Sequence, residues 1–462
     1  MIISGAETEL DELTPRQESF LQDFIARYNE RTKKSKEWTV KYRPLISDWI
    51  FTLNYHHLLK ELQYPLVASR SAGSKMWDID GNEYVDILQG YGVSALGHNP
   101  PFISEAIERQ LRHGMILGPN IELTGKLAEL MCELTGLDRV AFSNTGTEAV
   151  MTAMRLARAY TGRNKIVIFS GSYHGHFDGV LGGSSEKLKG VDPVIPSMRE
   201  DVLILKDSSE ESLEIIRSRG HELAAVLIAP VHSGNLNLTS EYLREYLHKL
   251  RQITKETDTV LIFDEVLTGF RLHPKGAQGY FDTDADVVTY GKAIGGGMPI
   301  SAIGGKSRFM DRIDGGMWNY GDDSHPTSKR IFFAGTYCKH PLAIVSAYET
   351  LKYYKEQGPA LQEQVTRRTS EFVRKLNTYL EEKDMAARFA HFGPLFGFRT
   401  NLPKDPIEKN ILFYLIREKG VYTWEGNTCM LCAAHTDEDT DIIVNAFKES
   451  IEELHSGGFP FS

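Results

Sequence analysis

The chain has 462 residues, of which 41% are hydrophobic and 25% charged, and this balance predicts a globular protein of about two to three domains. Its net charge of −10 argues against a nucleic-acid partner, because such proteins usually carry a basic stripe. No apolar run approaches the roughly 18 residues that span a membrane, and the first residues lack the pattern of a secretion signal. Four cysteines are too few for a disulfide framework, so a cytoplasmic protein is expected.

The first part of the chain reads as a helical extension, which we assign to residues 1–50. Thr14 followed by Pro15 is typical of a helix start, and apolar side chains then recur at helical spacing as far as Tyr28. The basic stretch from Arg31 to Lys41 is expected to follow as an exposed connection. A helix packed on the main body is favoured over a docking element for partners.

The next segment, residues 51–105, is predicted to begin a small domain. Short strands are expected from Leu66 to Ile87, with a hairpin turn over Asp78-Ile-Asp-Gly-Asn-Glu83. Residues 341–462 are expected to complete this smaller α+β domain with long helices and a few short strands.

Residues 106–340 are predicted to form a large domain in which strands alternate with helices. The apolar runs are Val140–Phe142, Ile166–Phe169, Val202–Leu205, Ala224–Ile228, Val260–Phe263, Val287–Thr289 and Ser301–Ile303. This alternation predicts an α/β fold with a mostly parallel, seven-stranded sheet covered by helices. Sites in such sheets gather at the carboxyl ends of the strands.

Two of these strand ends carry the most informative residues of the chain. The run Val260–Phe263 delivers Asp264, and the run Val287–Thr289 leads to Lys292 in a glycine-rich turn. A pyridoxal phosphate enzyme needs such a pair, because a lysine forms a Schiff base with the aldehyde and a carboxylate keeps the pyridine nitrogen protonated. Each residue alone could be an ordinary surface or capping group, but neither alternative explains why both follow strands.

Two further strand ends fit the same cofactor. Small and hydroxyl residues over Ser143–Glu148 open a helix, where free N–H groups and the helix dipole favour a phosphate, although simple N-capping is the alternative. After the next strand, Tyr173 is placed to stack on a pyridine ring, unless it is a core tyrosine.

Cys429 and Cys432, with His435 nearby, could suggest a metal or redox pair. They lie in a short apolar run, and a buried strand is the favoured interpretation.

From about Leu66 to Leu454 the chain resembles the class III (ω-type) aminotransferases of pyridoxal phosphate fold type I, which include glutamate-1-semialdehyde aminomutase. The motifs that carry this resemblance are Trp77-Asp-Ile-Asp-Gly-Asn82, Asn144-Thr-Gly-Thr-Glu-Ala149, Gly171-Ser-Tyr-His-Gly175, Phe263-Asp-Glu-Val-Leu-Thr-Gly-Phe-Arg271 and Gly291-Lys-Ala-Ile-Gly-Gly-Gly-Met-Pro299.

The resemblance implies a role for six residues and an assembly. Lys292 would form the Schiff base and Asp264 would pair with the pyridinium nitrogen. Gly146 and Thr147 would hold the phosphate, while Tyr173 would stack on the ring. Thr336 matches the family threonine that reaches the phosphate of the neighbouring subunit, and a homodimer is therefore implied.

A narrower resemblance concerns the aminotransferase domains of hybrid polyketide–nonribosomal peptide synthases. It is carried by Tyr28–Lys36, Trp318–Ser324, Thr423–Gly426 and Ala434–Asp439. Such domains act on a β-ketoacyl chain held as a thioester on an acyl carrier protein, which implies conversion of the ketone to an amine with glutamine or glutamate as donor. Trp318, Tyr320, Trp424 and Glu425 are the candidates for contact with the acceptor.

The chain departs from the family at three positions. Ala229 replaces a usual glutamate, and His232 replaces the glutamine or alanine beside the cofactor's phenolic oxygen. A histidine can still donate a hydrogen bond there, so His232 is expected to contact the cofactor. Asn427 stands where carrier-linked relatives tend to have arginine, which bears on the acyl preference.

Two other functions remain open on the sequence. The first is an aminomutase that moves an amine within one substrate, since the same residues serve both reactions. The second is a catalytically silent carrier-binding partner of a synthase, against which the joint presence of Lys292, Asp264 and the phosphate-binding segment argues.

Overall fold

The structure, a computed structural model, describes residues 13–52, 54–181, 200–400, 407–424 and 428–459. The chain begins with helix α1 (Pro15–Arg31), in which Thr14 is the N-cap and forms a capping box with Gln17, as the sequence predicts. A kink at Thr32 separates α1 from α2 (Lys33–Tyr42). The short helical turns Trp49–Thr52 and His57–Leu62 follow.

Helix α2 corrects the prediction of an exposed connection after Arg31. The Asp80 carboxylate caps its first turn, accepting hydrogen bonds from the backbone N–H groups of Lys34 (2.7 Å) and Ser35 (3.1 Å). Ser35 and Thr39 are buried against the body of the protein. The helix therefore forms because of a contact from a distant turn, which local spacing does not reveal.

The predicted hairpin is present. Strands β1 (Ala68–Ala72), β2 (Lys75–Asp78) and β3 (Glu83–Asp86) form an antiparallel meander with β2 in the middle. The Asp78 carboxylate closes the turn, because it accepts hydrogen bonds from the backbone N–H of Asn82 and from the hydroxyl of Tyr84.

All seven predicted strands of the large sheet are present. They are β4 (Arg139–Ser143), β5 (Lys165–Phe169), β6 (Val202–Leu205), β7 (Leu223–Ile228), β8 (Val260–Glu265), β9 (Val287–Tyr290) and β10 (Ser301–Gly305). Their order is β4-β10-β9-β8-β7-β5-β6, and β10 is antiparallel to both of its neighbours while the other pairs are parallel.

The central strands are apolar throughout because helices cover both faces of this sheet. In β8, Leu261 and Phe263 pack into one cluster of buried side chains, whereas Val260 and Ile262 pack into another on the opposite face. The helices of this part of the chain are α3 (Pro101–His113), α4 (Glu122–Thr135), α5 (Gly146–Thr161), α6 (Glu210–Arg219), α7 (Ser240–Glu256), α8 (Gly276–Phe281) and α9 (Ser307–Asp314).

The C-terminal part follows, and its first helix packs against the large domain through Ala343, Ile344 and Leu351. This part contains α10 (Pro341–Gln357), α11 (Ala360–Glu382), β11 (Ala387–Phe392), β12 (Leu395–Thr400), α12 (Ile407–Glu418), β13 (Val421–Tyr422), β14 (Cys429–Met430) and α13 (Asp437–Ser456). Strand β13 pairs in parallel with β3, which joins the two ends of the chain in one sheet. None of the helices in the described ranges is long and apolar enough to cross a membrane.

The surroundings of Cys429 and Cys432 are those of buried, unreactive cysteines. Burial raises the pKa of the Cys429 thiol to about 11 and that of Cys432 to about 12, so both stay protonated near neutral pH. The Cys432 Sγ lies 3.1 Å from His435 Nδ1. In the described part of the chain, no group of three or more His, Cys, Asp or Glu residues is placed to hold a metal ion.

Candidate active site

Asp264 and Lys292 lie at the same end of the large sheet, where the parallel strands terminate. Strands β8 and β9 are neighbours, and Asp264 is in register with Thr289. Lys292 follows β9 by two positions, in a left-handed conformation with φ of 46°. A non-glycine residue adopts this conformation rarely, and such strain is frequent at functional sites. The carboxylate and the lysine therefore both lie at the end of the parallel sheet where ligands normally bind.

The Asp264 carboxylate is buried and held from three sides. His174 Nδ1 donates to its Oδ2 at 2.7 Å, and the Thr289 hydroxyl donates to its Oδ1 at 3.1 Å. The backbone N–H of Val266 also donates to Oδ1, at 3.1 Å. These donors fix the carboxylate in one orientation.

The pKa of the Lys292 ammonium is lowered to about 8, chiefly by burial; Asp264 opposes this shift, and the nearby Arg271 adds to it. A lysine with a lowered pKa is partly neutral near pH 7, and the neutral amine is the nucleophile that reacts with carbonyl compounds.

The first turn of α5 is close to the lysine turn. Thr145 is the N-cap and accepts from the backbone N–H of Glu148, so the N–H groups of Gly146 and Thr147 point out of the helix end. The Val266 side chain lies between the two turns. A Cβ added at Gly146 would lie 2.9 Å from Val266 Cγ1, and a Cβ added at Gly291 would lie 3.2 Å from the same atom. The structure thus brings together the residues assigned to the phosphate and the lysine.

The loop that carries Tyr173 packs against the same helix end. Gly175 has φ of 99°, and a Cβ there would lie 2.6 Å from the Thr147 hydroxyl oxygen. Partial burial and the neighbouring Asp264 charge raise the pKa of the Tyr173 phenol, which is otherwise exposed. Tyr173 therefore lies beside Asp264 with an open face, as stacking on a ring requires.

His232 is buried and both of its ring nitrogens have partners. Its Nε2 lies 3.0 Å from Asp207 Oδ2, and its Nδ1 accepts from the backbone N–H of Gly234 at 3.1 Å. Since Nδ1 accepts, Nε2 carries the proton and donates to Asp207. A contact with the phenolic oxygen of a cofactor would have to replace one of these bonds, so that role for His232 stays a prediction. Ala229 directly follows β7 and offers no carboxylate.

The remaining predicted residues lie farther out. Trp318 and Tyr320 are exposed and their rings contact each other, with centroids 4.7 Å apart. Thr336 is exposed in the segment before α10. Glu425 and Asn427 fall outside the described residues, and their assignments stay predictions.

Three residues of the site escaped the sequence analysis. His174 and Thr289 both donate hydrogen bonds to the Asp264 carboxylate. In the sequence, the only indication of their role is that His174 is next to Tyr173 and that Thr289 lies within β9. Asp207 is the third, and it follows β6 as Asp264 ends β8. A polar residue at each strand end was the pattern that could have identified them.

An aromatic cluster, defined here as Trp49, Tyr91 and Trp424, also belongs to this region. The ring centroids are 6.4 Å apart for Trp49 and Tyr91, 6.0 Å for Trp49 and Trp424, and 6.3 Å for Tyr91 and Trp424. Trp49 is 42% and Tyr91 36% exposed, whereas Trp424 is buried.

The aromatic cluster is connected to the lysine by a strained turn. Gln89, Gly90 and Tyr91 all have positive φ, at 53°, 57° and 56°. The turn Gln89–Gly92 packs against the turn Lys292–Gly295, and the Arg271 guanidinium donates to the Gly92 carbonyl. The turn that carries Tyr91 therefore adjoins the turn that carries Lys292.

Pyridoxal phosphate fits these residues. Glycine at positions 146 and 175 lets Val266 and the Tyr173 loop pack closely against the end of α5, and the helix end offers N–H groups to a phosphate. The buried Asp264 carboxylate matches a protonated ring nitrogen, and the amine of Lys292 matches an aldehyde.

Comparisons with known proteins identify the family. The family described as Aminotransferase class-III matches residues 59–451. The glutamate-1-semialdehyde 2,1-aminomutase of Clostridium novyi (strain NT) is 36% identical over 409 residues, covering 84% of this chain and 91% of that protein.

Solved structures give the same assignment. A transaminase with PLP bound has a TM-score of 0.80 at 25% identity, covering 92% of this chain and 99% of that chain. The β-phenylalanine aminotransferase of Variovorax paradoxus has a TM-score of 0.79 at 25% identity, covering 94% of this chain and 97% of that chain. The matched family and the shared fold therefore agree: the chain is a class III aminotransferase of fold type I, an enzyme whose cofactor is pyridoxal phosphate.

Proposed function

We propose that this enzyme transfers an amino group from an amino acid, glutamine or glutamate, to the ketone of a β-ketoacyl thioester carried by an acyl carrier protein. The observation that carries the proposal is the aromatic cluster beside the lysine turn. Such a cluster suits an acceptor with an apolar chain, because its burial removes apolar surface from water. The transfer needs no separate oxidant or reductant, since the amino acid becomes an oxo acid as the ketone becomes an amine.

Each residue of the site has a defined task in this reaction. Pyridoxal phosphate, when bound, supplies a carbonyl that condenses with amines and a ring that accepts the electron pair left by a departing proton. Lys292 would hold the aldehyde at rest and then carry a proton between the donor carbon and the cofactor. Asp264, oriented by His174 and Thr289, would keep the ring nitrogen protonated. Gly146 and Thr147 would bind the phosphate and Tyr173 would cover the ring.

The similarity to a β-phenylalanine aminotransferase is consistent with chemistry at a β-carbon, because that enzyme is named for a β-amino acid. The residues from Tyr28 to Lys36, which resemble carrier-linked domains, lie before the matched family region. A homodimer and a cytoplasmic location are part of the proposal.

A second candidate is a glutamate-1-semialdehyde-type 2,1-aminomutase. Curated relatives such as that of Clostridium novyi favour it, since they bear this name at 36% identity. An aminomutase returns the amino group to the same molecule, so no separate oxo acid accumulates.

An absorbance titration of the cofactor-loaded enzyme with glutamine, glutamate and alanine, without acceptor, separates the two candidates. The proposal expects stoichiometric conversion of bound pyridoxal phosphate to pyridoxamine phosphate, with one oxo acid released per site. Lack of conversion with every donor, together with conversion of glutamate-1-semialdehyde to 5-aminolevulinate, would favour the aminomutase. The Lys292→Ala variant, which should show neither, is the control for both.

A further inference from the structure

Helix α2 and the residues after it carry a basic surface on an acidic protein. The whole chain has a net charge of −10, yet residues 31–43 contain six basic side chains and a single acid, Glu37. Lys33, Lys41 and Arg43 are exposed. Lys36, by contrast, is neutralised by Glu61 at 2.6 Å. The local charge is therefore opposite to that of the molecule.

Apolar side chains lie between these charges. Val40 is 71%, Leu45 80% and Ile46 39% exposed. A cavity of about 500 Å³ opens at the bend between α1 and α2, lined by the basic residues Lys33, Lys36 and Lys41, the acids Glu30 and Glu37, and the apolar Val40 among others. Exposed apolar groups framed by charge are typical of surfaces that bind another protein.

These exposed groups contribute little to holding α2 in place. The helix is fixed from its other side, where Asp80 caps the first turn and the Ser35 hydroxyl donates to the same carboxylate at 3.1 Å. The Ser35 hydroxyl oxygen also accepts from the backbone N–H of Val67 at 3.2 Å. Lys33 and Val40 thus remain exposed to a partner, and the Lys41 ammonium contacts the ring of its chain neighbour Tyr42, at 4.9 Å from the ring centre.

A series of contacts connects this surface to the turn that carries Lys292. The Arg43 guanidinium lies 5.8 Å from the centre of the Phe51 ring, and Phe51 shares a helical turn with Trp49. Trp49 belongs to the aromatic cluster, whose Tyr91 turn packs against the turn of Lys292. A long, flexible arm held at α2 would therefore pass the aromatic cluster on its way to the amine.

We propose that the α2 face, defined as Lys33, Val40, Lys41, Arg43, Leu45 and Ile46, is the docking surface for an acidic acyl carrier protein. This inference rests on the proposed function, since it places the carrier that the function requires. Basic side chains steer an acidic partner and the apolar groups between them hold it. A second copy of this chain is the competing occupant, and the oligomeric state of the variant tests it.

The test compares one acceptor in two forms on the full, cofactor-loaded enzyme. A β-ketodecanoyl group is supplied either on a holo acyl carrier protein or on free pantetheine. The variant combines Lys33→Glu, Lys41→Glu and Arg43→Glu. The matched control combines Lys249→Glu, Lys255→Glu and Lys383→Glu, three lysines with side chains 50%, 59% and 52% exposed elsewhere on the surface.

The variant is expected to lose about tenfold or more in kcat/KM for the carrier-borne acceptor at low salt, and to bind the carrier more weakly by fluorescence anisotropy. Its kcat/KM for the pantetheine thioester should equal that of the wild type, which also shows that the variant folds. The control should behave as the wild type with both acceptors.

Three outcomes would overturn the inference. They are an unchanged kcat/KM with the carrier, an equal loss with both thioesters, or a change in the oligomeric state of the variant by sedimentation. The last would identify the face as an interface between copies. A wild-type enzyme that aminates neither thioester would instead refute the proposed function.

Discussion

Burial of Lys292 controls the protonation of its amine. Removal from water disfavours the ammonium, and the nearby Arg271 guanidinium disfavours it further, so its pKa falls from 10.5 to about 8. Asp264 limits the shift because its negative charge favours the ammonium. The left-handed backbone at Lys292 holds the amine in this environment at a conformational cost of about 1–3 kcal/mol.

The lowered pKa of Lys292 predicts how the apo-protein takes up pyridoxal phosphate. The uptake rate should rise about tenfold per pH unit below pH 8 and level off above it, since only the neutral amine reacts. Stopped-flow absorbance measures this rate. A midpoint near 10.5, the ordinary value for lysine, would contradict the burial argument.

The same shift has a consequence for stability. Between about pH 8 and 10.5 the unfolded chain binds more protons at this lysine than the native one, so the free energy of unfolding of the apo-protein should rise with pH in that window. Lys292→Met, which carries no charge in either state, should abolish this rise in urea unfolding curves. A rise that persists in Lys292→Met would assign it to another group.

At the scale of elements, helix α5 and the Tyr173 loop form one unit. The capping box of Thr145 and Glu148 fixes the helix start, and Gly175 allows the loop to touch Thr147. The phosphate-binding end therefore depends on a close approach between two segments, which requires glycine at the contact.

Gly175→Ala tests that close approach. Its Cβ would lie 2.6 Å from the Thr147 hydroxyl oxygen, so Thr147 must move, and the dissociation constant for pyridoxal phosphate should rise about tenfold. Gly162→Ala, at the other end of α5, is the matched control, because its φ of 69° is also positive but no atom lies within 4 Å.

Both variants should lose about 1–2 kcal/mol of stability from backbone strain. Only Gly175→Ala should lose affinity for the cofactor, as measured by fluorescence titration. Equal affinities would show that the contact between Gly175 and Thr147 does not shape the phosphate site.

The aromatic cluster provides the second prediction at this scale. Trp49→Ala removes an exposed apolar wall, so KM for β-ketodecanoyl pantetheine should rise about tenfold, equivalent to roughly 1.4 kcal/mol. The short β-ketobutyryl thioester and the donor half-reaction should be unaffected. Steady-state kinetics with the two chain lengths measure the effect.

Trp318→Ala is the comparison, because Trp318 and Trp49 are both 42% exposed. A rise in KM for Trp318→Ala would place the Trp318–Tyr320 pair on the acceptor's path. An unchanged KM in Trp49→Ala would exclude the aromatic cluster from that path.

At the scale of the whole molecule, a second exposed apolar surface lies between α9 and α10. Met317 is 76%, Tyr320 91% and Phe332 79% exposed, and Thr336 lies in the same stretch. Large apolar side chains at this density are typical of an interface. We expect a second copy to cover them, which would bring Thr336 to the neighbouring phosphate site.

Phe332→Asp should therefore shift the protein from dimer to monomer in sedimentation velocity at micromolar concentration, and should release cofactor. Val40→Asp is the control, since Val40 is 71% exposed on the α2 face and should leave the dimer intact. A monomeric wild type, or a dimer lost only in Val40→Asp, would contradict this assembly.

Much of the fold followed from the sequence because its determinants are local. The seven apolar runs predict strands, and parallel strands place their carboxyl ends together, which is why Asp264 and Lys292 could be assigned to one site. Thr14 and Pro15 predicted the first helix because a cap acts on its own backbone.

The tertiary structure decided what depends on contacts between distant segments. Helix α2 forms because Asp80 caps it, Asp264 is oriented by His174, and His232 turns toward Asp207. The aromatic cluster assembles from three separate parts of the chain. The family and the cofactor could be predicted from the chain alone, since strand and motif are properties of neighbouring residues. The partners of those residues and the route to them arise only when the chain folds, because the contacts join positions far apart in sequence.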